Sequence, residues 1–135
     1  MSTLDHVTLL VRDVERSKAF YTKVLATLGI EIIKDFGQAC GFGRNGKPDF
    51  WIGNGPTSFQ TADHLRIITP SHVAFSARDR AEVNDFHAAA LAAGGKDFGA
   101  PGVRSHYHPN YYGAFVLDPD GHDIEAVFHG AHIAP

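Results

Sequence analysis

Apolar and polar residues alternate over two short stretches, Leu4 to Val11 and Ser71 to Ala77, and this period of two predicts a β-strand at each. Val7, Leu9 and Val11 then share one face, with His6, Thr8 and Leu10 on the other. In the second stretch Val73, Phe75 and Ala77 form the apolar set, opposite His72, Ala74 and Ser76. Past each strand the spacing lengthens. Phe20, Val24 and Leu28 are four apart, and Val83, Phe86 and Ala90 are three and four apart, which places each set on one face of a helix. Asp13 and Asp79 stand where helix N-caps are expected, Glu82 completes a capping-box pattern, and Gly29 and Gly94-Gly95 are natural stops. Glycine-punctuated β segments follow at 31–36, 39–42 and 50–52, and again at 96–98, 111–117 and 123–128, with DPDG at 118–121 as turn chemistry before the last.

Each half therefore reads β-α-β-β-β, and the halves are related in sequence. An offset of 66 positions pairs His6 with His72, Val7 with Val73, Arg12 with Arg78, Asp13 with Asp79, Phe20 with Phe86 and Gly29 with Gly95; KDFG at 34–37 recurs at 96–99. Such self-similarity marks a duplicated supersecondary unit. The expected organisation is one domain, with a first module over 1–55, a connection over 56–70 and a second module over 71–130. LRII within the connection is a candidate short strand.

Composition narrows the field of partners. The 135 residues are 44% apolar and 20% charged, with a net charge of −3, as in a globular protein. No basic run or stripe is present, so neither nucleic acid nor a membrane surface is an expected partner. A lone cysteine, Cys40, read as a small buried filler, and the lack of a signal-like start or of about 18 consecutive apolar residues lead to the expectation of a cytoplasmic protein.

Candidate chemistry lies on the face turned away from the helices. In the last strand Ile124, Ala126 and Phe128 belong with the helix-covered side and Glu125 with the other. Two imidazoles and one carboxylate, His6, His72 and Glu125, are ligand types for a divalent metal with coordination positions left open. Their equivalent places in the repeat lead to the expectation that a pseudo-twofold brings the histidines together. The stretch RSHYHPNYY at 104–112 offers Arg104, His106, Tyr107 and His108 for an anionic substrate or for acid and base, with His108 the first choice as a protein base. Trp51 is a candidate pocket wall. His64, His87, His122, His129 and His132 are expected at the surface.

DHVTLLVRDVERSKAFYTKVL, SHVAFSARD and DPDGHDIEAVF together resemble the vicinal oxygen chelate superfamily, which takes in glyoxalase I, extradiol dioxygenases, fosfomycin-resistance transferases, bleomycin-resistance proteins and methylmalonyl-CoA epimerases. The resemblance implies an α+β fold in which two βαβββ modules form a cup-shaped mixed sheet around a central metal, held by His6, His72 and Glu125. It also implies a homodimer, with the modules packed within or between chains. The cofactor it implies is Zn, Ni, Mn or Fe, and the activity is that of a metal-dependent enzyme, a glyoxalase-type lyase or isomerase on a small oxygenated substrate. The alternatives are a metal-independent drug-binding protein, a thiol transferase and an extradiol dioxygenase. Trp51 stands where glyoxalase I often has a fourth ligand, Leu10 where it has a glutathione-binding arginine, and Phe115 where extradiol dioxygenases have a tyrosine. Thr8 matches a threonine of the fosfomycin-resistance enzymes. As a drug binder the chain would use Trp51, Phe115 and the tyrosines as stacking walls.

Overall fold

Two aspartates start the two long helices. Asp13 accepts the Arg16 amide at 3.1 Å and opens α1 (Val14–Ala26), while Asp79 accepts the Glu82 amide at 2.8 Å and opens α3 (Arg80–Ala92). Glu82 reaches back to the Arg78 amide at 2.8 Å, one residue before the N-cap. Gly29, at φ 72°, turns the chain out of the α1 region, a conformation open to glycine at little cost. These details come from a computed structural model, which describes residues 3–55 and 57–130.

The first module contains β1 (Val7–Leu10), β2 (Glu31–Asp35), β3 (Ala39–Gly43) and β4 (Phe50–Gly53), in the order β1-β4-β3-β2. The second contains β5 (His72–Ser76), β6 (Lys96–Val103), β7 (Tyr112–Leu117) and β8 (Asp123–Phe128), in the order β5-β8-β7-β6. Each first strand runs parallel to the last of its module, and the other pairs are antiparallel. The duplicated α+β plan is thus present as two four-stranded mixed sheets that are separate rather than closed into one cup. In the connection, LRII forms no strand. Leu65 and Arg66 end a short helix, α2 (Ala62–Arg66), where the His64 ring accepts the Thr61 amide at 3.1 Å.

One core serves both modules. Leu9, Val11, Phe20, Tyr21 and Phe42 from the first are buried in the same cluster as Phe75, Val83, Phe86 and Ile124 from the second. Rings carry the continuity: Tyr21 meets Phe50 edge-on at 5.2 Å, and Phe50 meets Phe75 at 5.0 Å across the module boundary. Polar contacts cross it too, Tyr21 donating to Asp118 at 2.5 Å and Arg44 donating to the Ser76 carbonyl at 2.8 Å.

The two first strands run in opposite directions along this boundary. Leu10, at the end of β1, is linked through His122 to Ser71 just before β5, while Leu4 and Val7 line a cavity with Val73 to Ser76. Strand starts therefore lie at opposite ends of the boundary, separated by the rise of β1, roughly 13 Å at about 3.3 Å per residue.

Candidate metal and substrate site

On the helix-free face of the second sheet, register places His72 beside Asp123 and sets Ala74, Glu125 and Phe115 side by side. His72 Nε2 is 2.9 Å from Glu125 Oε1. Glu125 is 1% exposed, and its second oxygen accepts a short hydrogen bond from the Tyr111 hydroxyl. No lysine or arginine pairs with this carboxylate among the described residues. Burying a carboxylate without a countercharge is costly. Asp123 stands next to it, with Oδ2 4.0 Å from His72 Nε2 and its buried Oδ1 without a hydrogen-bond partner; burial raises its pKa above the usual aspartate value. His72 and Glu125 are thus two ligand-type donors in contact, with the orphaned Asp123 oxygen nearby. Two donors 2.9 Å apart also match neighbouring positions around an ion with bonds of about 2.0–2.2 Å.

His6 is not in that corner. It precedes β1 on the other sheet, half exposed, with Nδ1 2.7 Å from Asp5. The expectation that the pseudo-twofold unites the two histidines within one chain is not met, because the antiparallel arrangement of β1 and β5 puts their starts at opposite ends. Among the described residues, no group of three His, Cys, Asp or Glu side chains is placed to hold a metal ion.

On the first sheet the equivalent row reads Thr8, Trp51, Gly41. Trp51 thus occupies the register position that Glu125 has in the second sheet. A Cβ at Gly41 would come within 2.8 Å of the indole, so this glycine gives the ring room to lie across the sheet, where Phe36 stacks on it at 5.9 Å. Thr8, Leu10, Trp51, Phe59 and Gln60 line a cavity of about 330 Å³ on this face.

Phe115 lies beside His72, ring centres 6.2 Å apart, and the Arg104 guanidinium lies over Phe115 at 5.4 Å. Tyr107 is 56% exposed and packs on Tyr111 at 4.7 Å. His108 has both ring nitrogens engaged: Nδ1 accepts the Asn110 amide at 3.0 Å, so Nε2 carries the proton and donates to His129 Nδ1 at 2.9 Å. No lone pair of His108 is free in this arrangement.

Tyr111 is the residue that reading the sequence missed. The family resemblance implies a tyrosine ten residues before Glu125, where Phe115 stands; Tyr111 reaches the same carboxylate from fourteen residues before it, by lying over Gly113, where a Cβ would be 3.2 Å from both Tyr111 Cε1 and Glu125 Oε2. The glycine two residues after the tyrosine was the available signal. Burial, then the Glu125 contact, pushes the Tyr111 hydroxyl well above the usual tyrosine pKa.

Other histidines also have partners. His122, expected at the surface, is 1% exposed and bonded through both nitrogens, and His87 lies 3.0 Å from Asp97. His132 is outside the described residues. Cys40 is buried, which raises its pKa. No described helix is long and apolar enough to cross a membrane.

Solved structures share this architecture. A glyoxalase/bleomycin resistance protein from Albidiferax ferrireducens T118 is 32% identical, covers 94% of this chain and 99% of its own, and superposes with a TM-score of 0.79. A lactoylglutathione lyase from Agrobacterium tumefaciens (21% identity, 95% of this chain and 94% of its own, TM-score 0.68) shows the fold alone. So does a glyoxalase-related enzyme from Fulvimarina pelagi (21%, 95% and 88%, TM-score 0.67). No curated protein matches the chain. The family description that matches residues 3–126 accounts for both modules, and the chain belongs to the Glyoxalase/Bleomycin resistance protein/Dioxygenase superfamily.

Proposed function

We propose that the protein is a metal-dependent enzyme of the glyoxalase type, a lyase or isomerase acting on a small oxygenated substrate, and that it works as a homodimer. The observation that carries this reading is the buried Glu125 carboxylate facing His72 at 2.9 Å, with no lysine or arginine pairing with it among the described residues. His72 and Glu125 would hold a divalent ion, Zn, Ni, Mn or Fe, and His6 of a second copy would supply the third donor that one chain does not bring. The ion would supply Lewis-acid polarisation of two substrate oxygens, which lowers such barriers by several kcal/mol.

The chain's own residues do the rest. Tyr111 fixes Glu125 by donating to Oε2, Phe115 walls the site beside His72, and Thr8 and Trp51 of the facing module would close it. Two equivalent exposed phenylalanines support a paired assembly. Asp35 and Asp97, in the two KDFG segments, accept the Gly37 and Gly99 amides at 2.9 and 3.0 Å, and Phe36 and Phe98 are 68% and 59% exposed. Equivalent apolar positions on the two modules suit a self-complementary two-fold contact.

Metal analysis after loading tests the reading. About one ion per chain is expected, lost in His6→Ala, His72→Ala and Glu125→Gln; wild-type protein that takes up no ion, or the same ion content in all three variants, overturns it.

The cavity beside Trp51 favours a second reading, a metal-independent binder of a flat apolar ligand. Quenching of the single tryptophan by such a ligand that persists after chelation and in His72→Ala would support this reading over the first.

A further inference from the structure

Arg104 follows β6, and its amide donates to the Tyr111 carbonyl at 2.7 Å, one pair beyond the Val103 and Tyr112 partners. Cross-strand partners project to the same face, so the Arg104 side chain shares the face of Tyr111. The strand beneath it has been cleared: a Cβ at Gly99 would be 3.1 Å from Nη2, and one at Gly102 would be 3.1 Å from Nη1. Over these glycines lies the guanidinium, its carbon 5.4 Å from the centre of the Phe115 ring.

Its hydrogen bonding is incomplete. Nη2 donates to the Ala100 carbonyl at 2.7 Å, and no carboxylate among the described residues pairs with Arg104. Arg12 and Arg16 meet Asp120, Arg66 meets Asp63 and Arg78 meets Glu82, in a chain with more acids than bases. A guanidinium carries five N–H donors arranged as two forks that share Nη2. The Ala100 bond uses one of the two Nη2 hydrogens, so one complete fork is left, with the geometry that matches a planar carboxylate.

We infer that Arg104 anchors the substrate and that the substrate is a small carboxylate, held by the free fork with its reacting oxygens beyond Phe115, toward His72 and Glu125. The separations along this row, 5.4 Å from guanidinium to the Phe115 ring and 6.2 Å from that ring to His72, suit a molecule of a few carbons. The inference rests on the reading of this face as the substrate site, and its test is independent of the metal.

The test uses chelator-treated, dialysed full-length protein titrated with malonate and with malonamide, its uncharged analogue. Binding is followed by calorimetry and by the ¹H-¹⁵N signal of the Arg104 Nε–H. Malonate is expected to bind and to shift that signal, and malonamide to do neither. Arg104→Gln, which removes the charge, and Gly102→Val, which keeps the arginine but crowds its seat, are each expected to weaken malonate at least tenfold. Wild-type protein that ignores malonate, malonamide that binds as well as malonate, or two variants that bind malonate as wild type does would each overturn the inference. A negative metal analysis leaves this result standing, and a negative malonate result leaves the metal assignment standing.

Discussion

His122 Nε2 lies 2.7 Å from the Leu10 carbonyl oxygen, a hydrogen bond that runs from the β7–β8 turn of the second module to the end of β1 in the first. The other ring nitrogen, Nδ1, accepts the Ser71 amide at 2.9 Å, which fixes the tautomer with the proton on Nε2. The repeat has a counterpart. Leu10 and Ser76 are 66 positions apart, and the Ser76 carbonyl is caught by Arg44 from the first module at 2.8 Å. Each first strand thus has its last carbonyl held by a side chain of the opposite module.

Replacing His122 by alanine takes this partner from the partly buried Leu10 carbonyl and Ser71 amide. The expected loss is about 2–6 kcal/mol, from about 1–3 kcal/mol for each of the two groups left unsatisfied. Urea unfolding should show a lower midpoint with an unchanged slope. His122→Gln, which keeps one donor and one acceptor, should retain part of the stability.

Tyr21 gives a second stability test, with a defined pH dependence. It is fully buried and donates to Asp118 at 2.5 Å; burial first, then the Asp118 charge, holds its pKa well above the ordinary 10.0. A folded-state value above the unfolded one means that this contribution is complete below pH 10.0 and is lost as pH rises through the folded value. Tyr21→Phe should destabilise at neutral pH by about 1–3 kcal/mol, since Asp118 loses a donor. Its alkaline loss of stability should be shallower than that of wild type in chemical unfolding between neutral pH and pH values above that limit.

The duplicated strand-helix-strand plan was legible in the sequence because it rests on local signals: the alternation of Val7, Leu9 and Val11, the N-caps Asp13 and Asp79, and the turn at DPDG. The face carrying His72 and Glu125 was legible for the same reason, since the side of a strand follows from counting. What was hidden depends on how the modules meet. His122 looked like a turn residue at the surface and is buried because β1 of the other module ends against it. The separation of His6 from His72 follows from strand direction at the boundary, which no periodicity encodes. Tyr111 was hidden because its contact is diagonal, made possible by a glycine rather than by register.

Tyr111→Phe tests the support of the proposed metal ligand. Groups that orient a ligand from behind typically contribute 10- to 100-fold to metal affinity, and removing this donor leaves Glu125 held by His72 alone. Competition against a chromogenic chelator should show metal affinity reduced roughly tenfold to a hundredfold, and the metal-free protein should lose about 1–3 kcal/mol of stability because the buried Glu125 loses a donor. Unaltered affinity would separate Tyr111 from the site.

Gly41→Ala tests the seat of Trp51. The added Cβ would meet the indole at 2.8 Å and Pro48 Cβ at 2.9 Å, both closer than packed atoms tolerate. Overpacking of this kind costs about 1–3 kcal/mol. Because Trp51 is the only tryptophan, its emission reports the change directly: loss of the Phe36 stack should shift it to longer wavelength.

The proposed sharing of ligands between two chains predicts a specific complementation. His6→Ala and Glu125→Gln chains each form homodimers with no complete site, since every site draws His6 from one chain and His72 with Glu125 from the other. In a mixed dimer the two sites differ. One combines the two defects, and the other combines intact His6 from the Glu125→Gln chain with intact His72 and Glu125 from the His6→Ala chain. Random exchange of equal amounts makes about half of all dimers mixed, so about a quarter of wild-type metal binding should return when two individually inert proteins are mixed and allowed to exchange. Sites contained within single chains would give no recovery at any ratio, because every chain in the mixture would keep its own defect. Recovery of bound metal near a quarter, read against subunit exchange measured by mass spectrometry, would therefore place His6 and Glu125 of each working site on different chains.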